Sequence, residues 1–560
     1  NFAENLLRHK DNKIALIFRG ENGARQQLTY SELYSRVAAF AAGLRQQGIT
    51  AGDRVAAMMP NCIETIIGML ATTSLGAIWS SCSPDFGVQG VLDRFGQIEP
   101  KVLITVDGYF YNGKNLNIKD KTADIVEKIP SIERTVIVNF SDQQETLSGD
   151  NVVSWDEFSD SSATQIEFIE RDFNDPLYIM FSSGTTGVPK CIVHGTGGTL
   201  LQHLKEHGLH TDLDTEDNLF YFTTCGWMMW NWLVSGLAVG ATLTLFDGSP
   251  FAPEPEFLWD VADEEDITVF GTSAKYLAAL EKAGVKPRES HQLEKLRSIL
   301  TTGSVLPPES FDYVYRDIKK DLCLSSISGG TDIISCFALG CPILPVYRGE
   351  LQCRGLGLAV NIYDDNGKPI RGEKGELVCE KSFPCMPVGF WGDDNGERYF
   401  NAYFARFDNT WAHGDFAELT EHNGVIIHGR SDAVLNPGGV RIGTAEIYRQ
   451  VEKVDQVLES IAIGQQYEGD ERVVLFVKLR EGIELTDELK QTIAKTIRAN
   501  ATPRHVPAVI LQVDDIPRTI SGKIVELAVR NVVHGEPVKN TDALANPEAL
   551  EHFRDREALR

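Results

Sequence analysis

A glycine- and hydroxyl-rich loop follows an apolar stretch and has the composition of a phosphate-binding loop. The stretch Tyr178-Ile179-Met180-Phe181 leads into Ser182-Ser183-Gly184-Thr185-Thr186-Gly187-Val188-Pro189-Lys190. Glycines let backbone N–H groups approach an anion, hydroxyls add donors, and lysine supplies a point charge. The spacing does not fit the Walker loop G-x-x-x-x-G-K-[ST]. The loop predicts a phosphate site of another kind, and a flexible surface turn is the alternative interpretation.

Further segments follow this loop in a fixed order along the chain. They are Gly303-Ser304-Val305-Leu306-Pro307, Ser328-Gly329-Gly330-Thr331-Asp332, Trp411-Ala412-His413-Gly414-Asp415, Gly429-Arg430-Ser431-Asp432 and Pro517-Arg518-Thr519-Ile520-Ser521-Gly522-Lys523. Together with the loop they resemble the adenylate-forming superfamily, which contains acyl-CoA synthetases, peptide-synthetase adenylation domains and luciferases. The resemblance runs from about Leu28 to Lys523, nearly the whole chain. It implies a ligase that uses ATP, Mg²⁺ and coenzyme A and forms an acyl-adenylate.

The resemblance also implies roles for single residues in nucleotide binding. The loop would guide the ATP phosphates through Ser182, Ser183, Gly184, Thr185, Thr186, Gly187 and Lys190. Gly303 and Ser304 would contact adenine, and Thr331 the α-phosphate. Asp415 and Arg430 would bind the ribose, and Arg441 is grouped with these nucleotide-binding residues. Asp332 stands where the family has glutamate, and a carboxylate of either length can supply oxygen to Mg²⁺, directly or through water.

The remaining implied roles concern catalysis and coenzyme A. Lys523 would be the catalytic residue, because a fixed cation between the carboxylate and the α-phosphate stabilises the charge that develops during adenylation. Asp432 would be the hinge of a mobile C-terminal domain. Gly438 and Gly439 would line the pantetheine tunnel, and Arg498 and Lys114 would contact coenzyme A phosphates. A solvated surface position is the alternative for these last two.

The acyl pocket is predicted to hold a short acid with an internal polar group. In acetyl-CoA synthetases a tryptophan three residues before the metal-holding acid closes the pocket, whereas this chain has Gly329 followed by Gly330. Nearby, Thr223–Trp230 is polar and sulfur-rich, includes Trp227, and does not suggest a long apolar channel. Several other stretches, among them Trp79–Val88, resemble the superfamily members that activate acetoacetate. Acetate, propionate or 3-hydroxybutyrate remains the alternative substrate, and a nucleotide-binding protein without ligase turnover the alternative class.

One short motif points to different chemistry. His203-Leu204-Lys205-Glu206-His207 fits the H-x-x-E-H pattern of inverted zinc proteases, and histidines four apart share one face of a helix. A five-residue match needs its structural context. The alternative, a helix beside the acyl site, is the preferred interpretation.

These residues must be positioned by alternating strands and helices. Apolar runs predict strands at 54–59, 101–106, 135–140, 219–223, 241–246, 267–271 and 299–303, and an amphipathic pattern predicts a helix over Ser31–Gln47. Short strands with glycine turns follow residue 335. The fold class is therefore α/β, with a large N-terminal domain of helix-covered parallel sheets plus a small antiparallel β subregion, followed by a small α+β C-terminal domain. The expected boundaries are 1–430 for the AMP-binding adenylation domain and 431–560 for the small domain.

The amino-acid composition argues against several classes of binding partner. Lysine plus arginine is 53 against 79 aspartate plus glutamate, a net charge of −26 that disfavours nucleic acid and anionic lipid. The uncharged stretch Asn218–Phe246 is long enough to span a bilayer, but its glycines and closing turn predict a buried helix and strand instead. The 10 cysteines are sparse and include no C-x-x-C pair, which predicts reduced thiols in the cytosol. The non-methionine start suggests that an upstream segment is absent, and oligomeric state is not predicted.

Overall fold

The first large sheet has seven strands and is parallel except at one edge. The computed structural model describes residues 1–181, 189–437, 442–467, 470–520, 522–538 and 541–560. In spatial order the strands are Cys323–Ser326, Ser298–Thr302, Val269–Ser273, Asn218–Tyr221, Thr242–Asp247, Ile14–Gly20 and Arg25–Thr29. Only the last pair is antiparallel. Parallel strands of this kind are buried on both faces, which explains their continuous apolar sequences.

The second large sheet has eight strands. In spatial order they are Gly389–Phe390, Cys191–Gly195, Pro176–Phe181, Ile78–Cys82, Arg54–Met58, Val102–Val106, Arg134–Val138 and Val152–Ser154. The pairings from Pro176–Phe181 to the last strand are parallel, and the two at the other edge are antiparallel. The predicted strands are all present, with ends shifted by one or two residues.

Helices connect and cover these strands. The α-helices are Phe2–Leu6, Tyr30–Gln46, Ile63–Ser74, Val88–Ile98, Lys119–Lys128, Trp155–Phe158, Thr196–Lys205, Met228–Val234, Phe257–Glu264, Ala274–Lys282, Pro287–Ser290, Pro308–Tyr313, Glu397–Tyr403, Thr444–Val451, Asp487–Asn500 and Glu526–Val533. The helix Tyr30–Gln46 begins one residue earlier than predicted because Thr29 and Glu32 form a capping box. It ends before Gly48, whose φ of 83° suits a residue without a side chain.

The uncharged stretch Asn218–Phe246 is a strand–helix–strand unit in the first sheet. Asn218–Tyr221 and Thr242–Asp247 pair in parallel. The helix Met228–Val234, which lies between these strands in the sequence, is fully buried. The prediction of a buried helix and strand is confirmed. Among the residues that the structure describes, none of the helices has the length and apolar character that a membrane span requires.

Smaller sheets complete the fold. Three are antiparallel: Ser328–Gly330 with Ser335–Leu339 and Cys353–Arg354, a four-stranded sheet of Val360–Tyr363, Lys374–Cys379, Trp411–Leu419 and Val425–Arg430, and the hairpin Gly108–Tyr111 with Lys114–Asn117. Near the C-terminus, Val457–Tyr467 pairs antiparallel with Asp470–Leu479, which pairs in parallel with Val509–Gln512. Two apolar clusters pack on the two faces of this last sheet. The predicted α/β class with a small antiparallel region and an α+β C-terminal part is confirmed.

Candidate functional site

A cavity opens where the C-terminal part of the chain meets the two large sheets. Its wall from the large sheets follows the carboxyl ends of three strands, at Cys82, Phe181 and the segment from Thr224 to Trp227. Its wall from the C-terminal part is formed by Thr519, Ile520, Lys523 and Ala543. Ligands bind at the carboxyl ends of the strands in open α/β sheets, so this cavity is the natural candidate site.

Lys523 lies in this cavity among charged residues. The turn that carries it is fixed locally, because the backbone N–H of Lys523 donates to the Thr519 hydroxyl at 3.0 Å, and the Thr519 N–H donates to the Lys523 carbonyl at 2.8 Å. Burial lowers the pKa of Lys523, and the nearby Arg430 cation lowers it further, whereas Asp415 and Asp332 act in the opposite sense. The candidate catalytic lysine is thus close to three residues predicted to bind nucleotide and metal.

Asp415 and Arg430 face each other on adjacent antiparallel strands. They are register partners, and Arg430 Nη1 donates to Asp415 Oδ1 at 3.0 Å. The backbone between them is also fixed: Gly414 has a φ of 85°, and its N–H donates to the buried Glu376 carboxylate at 2.7 Å. This φ is one that residues with a side chain rarely adopt, so glycine is favoured at position 414, and a Cβ there would also lie 2.6 Å from the Arg430 guanidinium. The two residues predicted to bind the ribose are therefore direct neighbours in the structure.

Lys190 and Asp332 form a second charged pair. Lys190 Nζ lies 3.0 Å from Asp332 Oδ1, and the Tyr403 hydroxyl donates to the same oxygen at 2.5 Å. Burial alone would raise the pKa of Asp332, but Lys190, His413 and the Tyr403 hydroxyl together lower it well below its usual value. The carboxylate is therefore ionised at neutral pH, as a ligand for a hard cation must be.

The turn that carries Thr331 and Asp332 is held from beneath by buried side chains. His194 Nε2 donates to the Thr331 carbonyl at 2.9 Å, and His203 Nε2 donates to the Ile334 carbonyl at 2.6 Å. Glu206, which is fully buried, accepts from the Ser335 hydroxyl at 2.5 Å and from the Cys336 N–H at 3.4 Å. Ile334 has a φ of 50°, a costly conformation for a β-branched residue, which persists only where its surroundings fix it.

The H-x-x-E-H segment is therefore occupied by internal hydrogen bonds. His203 and Glu206 hold the turn, and His207 Nε2 donates to the Trp232 carbonyl at 2.8 Å. Glu206 also accepts from Trp232 Nε1 at 2.9 Å and Gln202 Nε2 at 3.0 Å. Burial lowers the pKa of His207 to about 3. In the described part of the chain there is no group of three or more His, Cys, Asp or Glu residues arranged to hold a metal ion.

Glycines shape the site at three predicted positions. Gly303 follows the strand Ser298–Thr302 with a φ of 89°, and a Cβ there would lie 3.6 Å from the Trp227 ring, while the adjacent Ser304 is exposed. At Gly329 a Cβ would lie 2.0 Å from the Ser335 carbonyl oxygen. Glycine at 329 is therefore required by the pairing of two strands and does not by itself enlarge the cavity. A Cβ at Gly330 would instead face the His413 ring at 3.5 Å.

Three other predicted residues, Lys114, Asp432 and Arg498, are exposed. Lys114 is exposed at the start of the strand Lys114–Asn117, and Arg498 is exposed on the helix Asp487–Asn500. Asp432 lies in a short 3₁₀ turn, with its carboxylate 3.7 Å from Arg430 Nε. The loop residues Ser182, Ser183, Gly184, Thr185, Thr186 and Gly187, together with Gly438, Gly439 and Arg441, lie outside the described residues.

The structure adds residues that sequence reasoning missed. Tyr403 and His413 both act on Asp332. No local pattern marks Tyr403, and His413 lies in the segment 411–415 but was assigned no role. Glu206 was marked by its motif, but the motif suggested a metal site. Arg94 lines the cavity and has no sequence signal at all. These residues approach the site from distant parts of the chain, which local spacing does not reveal.

Comparison with protein families gives matches to most of the chain. The model described as AMP-binding enzyme matches residues 2–386, and the model described as AMP-binding enzyme C-terminal domain matches residues 446–523. Among curated proteins, the acetoacetyl-coenzyme A synthetase of Rhizobium meliloti is 60% identical, and the match covers 100% of this chain and 86% of that protein. The acetoacetyl-CoA synthetase of Mus musculus is 48% identical, over 99% of this chain and 84% of that protein.

Solved structures give the same picture at the level of the fold. The acetoacetyl-CoA synthetase of Streptomyces lividans superposes with a TM-score of 0.94 at 40% identity, over 99% of this chain and 86% of that one. An anthranilate CoA ligase in complex with anthranoyl-AMP superposes with a TM-score of 0.80 at 19% identity, over 94% of this chain and 95% of that one. At that identity the second likeness concerns the fold alone.

Proposed function

The chain belongs to the family of AMP-binding enzymes, and from that membership we propose that it is an AMP-forming acid–thiol ligase that converts acetoacetate, ATP and coenzyme A to acetoacetyl-CoA, AMP and pyrophosphate. The observation that carries the proposal is the position of Lys523. It lines one cavity with Trp227 and Thr331, and its charged neighbours are Asp332, Asp415 and Arg430. The names of the relatives at 60% and 48% identity support acetoacetate as the acid.

In the first half-reaction the acid attacks the α-phosphate of ATP. The Lys523 ammonium lies between the two reacting groups and stabilises the negative charge that develops there. Thr331 contacts the α-phosphate, and the loop ending at Lys190 holds the phosphates that leave as pyrophosphate. Asp415 and Arg430 hold the ribose, Gly303 and Ser304 border the adenine, and Trp227, Gly329 and Gly330 border the acid. Binding both reactants in a fixed geometry supplies much of the rate.

Asp332 fits the role of metal-holding residue. Its Oδ1 is used by Lys190 and Tyr403, and no hydrogen bond to Oδ2 is recorded from any described residue. A single carboxylate together with substrate phosphates is the usual way in which proteins hold Mg²⁺ at a nucleotide. When bound, Mg²⁺ would neutralise phosphate charge, and the ionised Asp332 carboxylate would hold it.

In the second half-reaction the C-terminal part, residues 431–560, turns about Asp432. Lys523 then leaves the cavity, and the segment containing Gly438, Gly439 and Arg441 approaches so that the thiol of coenzyme A can attack the adenylate. Contacts that fix the present orientation must break, among them the hydrogen bonds from Lys282 Nζ to the Val457 and Leu458 carbonyls at 3.1 and 2.7 Å. Lys114 and Arg498 contact the phosphates of coenzyme A, and the enzyme acts in the cytosol.

The experiment that tests this function is a substrate panel. Pyrophosphate release is measured with MgATP and acetoacetate, acetate, propionate, 3-hydroxybutyrate or butyrate, each with and without coenzyme A. The proposal predicts that acetoacetate has the highest kcat/KM and that acetoacetyl-CoA appears only when coenzyme A is present. Preference for another acid would overturn the substrate, and nucleotide binding without acid-dependent pyrophosphate release would overturn the ligase activity.

A further inference from the structure

Arg94 is a buried cation that has no charged partner among the described residues. It lies in the helix Val88–Ile98 and is 5% exposed. Its Nη1 donates to the Gly90 carbonyl at 2.7 Å, and its guanidinium lies over the Phe86 ring at 4.5 Å and the Phe181 ring at 5.9 Å. Within the described residues, no carboxylate lies within ion-pair distance of Arg94. One backbone carbonyl and two aromatic faces leave most of its five N–H donors without an acceptor in the part of the chain that the structure describes.

Such an arrangement is energetically unfavourable unless a ligand completes it. Arginine is almost never fully buried unless it is paired, because removing its charge from water costs free energy. Burial lowers the pKa of Arg94, yet a guanidinium stays charged at any physiological pH. Arg94 lines the same cavity as Lys523. Its Nε and Nη2 atoms are not among the enclosed side-chain atoms that lack a partner, so a ligand in the cavity can reach them.

The position of Arg94 in this cavity indicates which ligand it faces. The cavity is lined by Cys82, Phe86 and Trp227 as well as Arg94, Thr331 and Lys523. The residues grouped around the nucleotide, Lys190, Asp332, Asp415 and Arg430, are absent from this lining. Thr331 and Lys523 belong both to the cavity lining and to the residues proposed to surround the nucleotide. The acid must reach Lys523 with its carboxylate, so the remainder of the acid extends into the part of the cavity that Arg94 borders.

We propose that Arg94 is a specificity-determining residue whose guanidinium donates a hydrogen bond to the 3-oxo oxygen of the acid. The inference rests on the proposed function, since it needs a 3-oxo acid as substrate. A ketone oxygen only accepts hydrogen bonds and a guanidinium only donates them, so the two groups are complementary. An acid without the oxo group leaves the buried donors unpaired, and sites built to hydrogen-bond a substrate group discriminate strongly against analogues that lack it.

The test compares acetoacetate with butyrate, which lacks only the oxo oxygen. Pyrophosphate release with and without coenzyme A is measured for the wild-type chain, Arg94→Met and Arg94→Lys. Loss of a hydrogen bond from a charged donor predicts that Arg94→Met lowers kcat/KM for acetoacetate about 10- to 100-fold. The kcat/KM for butyrate should change by less than about threefold or rise, because methionine leaves no unpaired donor. Arg94→Lys keeps a cation and should retain an intermediate preference for acetoacetate.

Arg54→Met is the matched control. Arg54 also donates to backbone carbonyls of the segment that ends this helix, to Ile98 at 2.6 Å and Glu99 at 3.0 Å, and its guanidinium lies 5.2 Å from the Trp391 ring centre. It does not line the cavity. Its removal should lower thermal stability without changing the ratio of acetoacetate to butyrate.

The outcomes separate this inference from the proposed function. If the wild-type chain does not prefer acetoacetate to butyrate, the proposed function fails. If the wild type prefers acetoacetate and the Arg94 variants keep the same ratio, the role of Arg94 is refuted. A loss confined to the coenzyme A-dependent step would also refute it, since that result indicates contact with pantetheine. If Arg94→Met does not fold, the ratio of kcat/KM for acetoacetate to that for butyrate in Arg94→Lys decides. An unchanged ratio in that variant contradicts direct recognition of the oxo group by the guanidinium.

Discussion

Lys190 and Asp332, which are 142 residues apart in the chain, are joined by an ion pair of 3.0 Å. The Tyr403 hydroxyl donates to the same carboxylate oxygen at 2.5 Å. Tyr403 is in turn fixed by stacking on Trp411, with the ring centres 3.7 Å apart. The lysine proposed to bind phosphate and the carboxylate proposed to hold Mg²⁺ are thus held in direct contact. Preorganisation of this kind lowers the reorganisation needed during the reaction.

Asp332→Asn is expected to weaken the use of Mg²⁺. An amide is a poorer ligand for a hard cation than a carboxylate, and it no longer attracts Lys190. We expect kcat/KM for MgATP to fall about 10-fold or more, and the Mg²⁺ concentration for half-maximal adenylation to rise. Asp332→Glu should retain activity, since it keeps the carboxylate. Tyr403→Phe is the control: it removes one hydrogen bond and should cost only a few-fold. An unchanged Mg²⁺ dependence in Asp332→Asn would count against the metal role.

Glu206→Gln is expected to disturb the Thr331–Asp332 turn by changing the buried hydrogen bonds to the residues that follow it. The glutamine amide group presents N–H donors to partners that are themselves donors, the Ser335 hydroxyl, the Cys336 N–H and Trp232 Nε1. Unsatisfied buried donors cost about 1–3 kcal/mol of folding stability. Because the turn carries Asp332, the Mg²⁺ concentration for half-maximal adenylation should also rise.

A matched control separates this positioning role from general stability. Glu265 is another buried carboxylate, which accepts from Arg19 at 2.7 Å and Arg25 at 2.8 Å. Glu265→Gln should lower the melting temperature to a similar degree and leave the Mg²⁺ dependence unchanged. If both variants shift the Mg²⁺ dependence equally, Glu206 has no special connection to the turn.

The two adjacent glycines are expected to respond differently to alanine. In Gly329→Ala the added Cβ would lie 2.0 Å from the Ser335 carbonyl oxygen, so the paired strands must separate. Overpacking of this kind costs about 1–3 kcal/mol, visible as a lower melting temperature. In Gly330→Ala the Cβ would contact the His413 ring at 3.5 Å, an ordinary distance. That variant should fold normally and show changed kinetics of adenylation. Equal thermal stability of the two variants would contradict this distinction.

The pH dependence of adenylation should report Lys523. Burial and the Arg430 cation lower the pKa of Lys523 from the ordinary lysine value of 10.5. The cation is the active form, so the rate is constant while the lysine is protonated and falls as pH rises through this lowered pKa. We expect the alkaline limb of kcat/KM for adenylation below pH 10.5, and expect it to move upward in Lys523→Arg. A limb at the same pH in both proteins would exclude Lys523 as its origin.

Much of the fold follows from local sequence, because buried parallel strands need continuous apolar residues. The strand predicted at 54–59 is observed as Arg54–Met58, and the helix predicted as Ser31–Gln47 is Tyr30–Gln46. Local sequence also marks Lys523 and Asp415, which lie in distinctive short motifs. It does not reveal contacts between distant segments, such as those of Tyr403 and Glu206 with the turn around Asp332. Local sequence also does not reveal which way a side chain at a glycine position would point. Gly329 was therefore expected to open the acyl pocket, whereas a Cβ there would point at the Ser335 carbonyl.

The most direct test of the mechanism separates the two half-reactions in Lys523→Ala. Adenylation is measured as pyrophosphate release from MgATP and acetoacetate, and thioester formation as the reaction of coenzyme A with synthetic acetoacetyl-adenylate. Loss of a positioned cation from the transition state predicts a decrease in adenylation of about 100-fold or more. Thioester formation should stay within a few-fold of wild type, since Lys523 has then left the cavity. Equal losses in both half-reactions would contradict the assignment of Lys523 to adenylation.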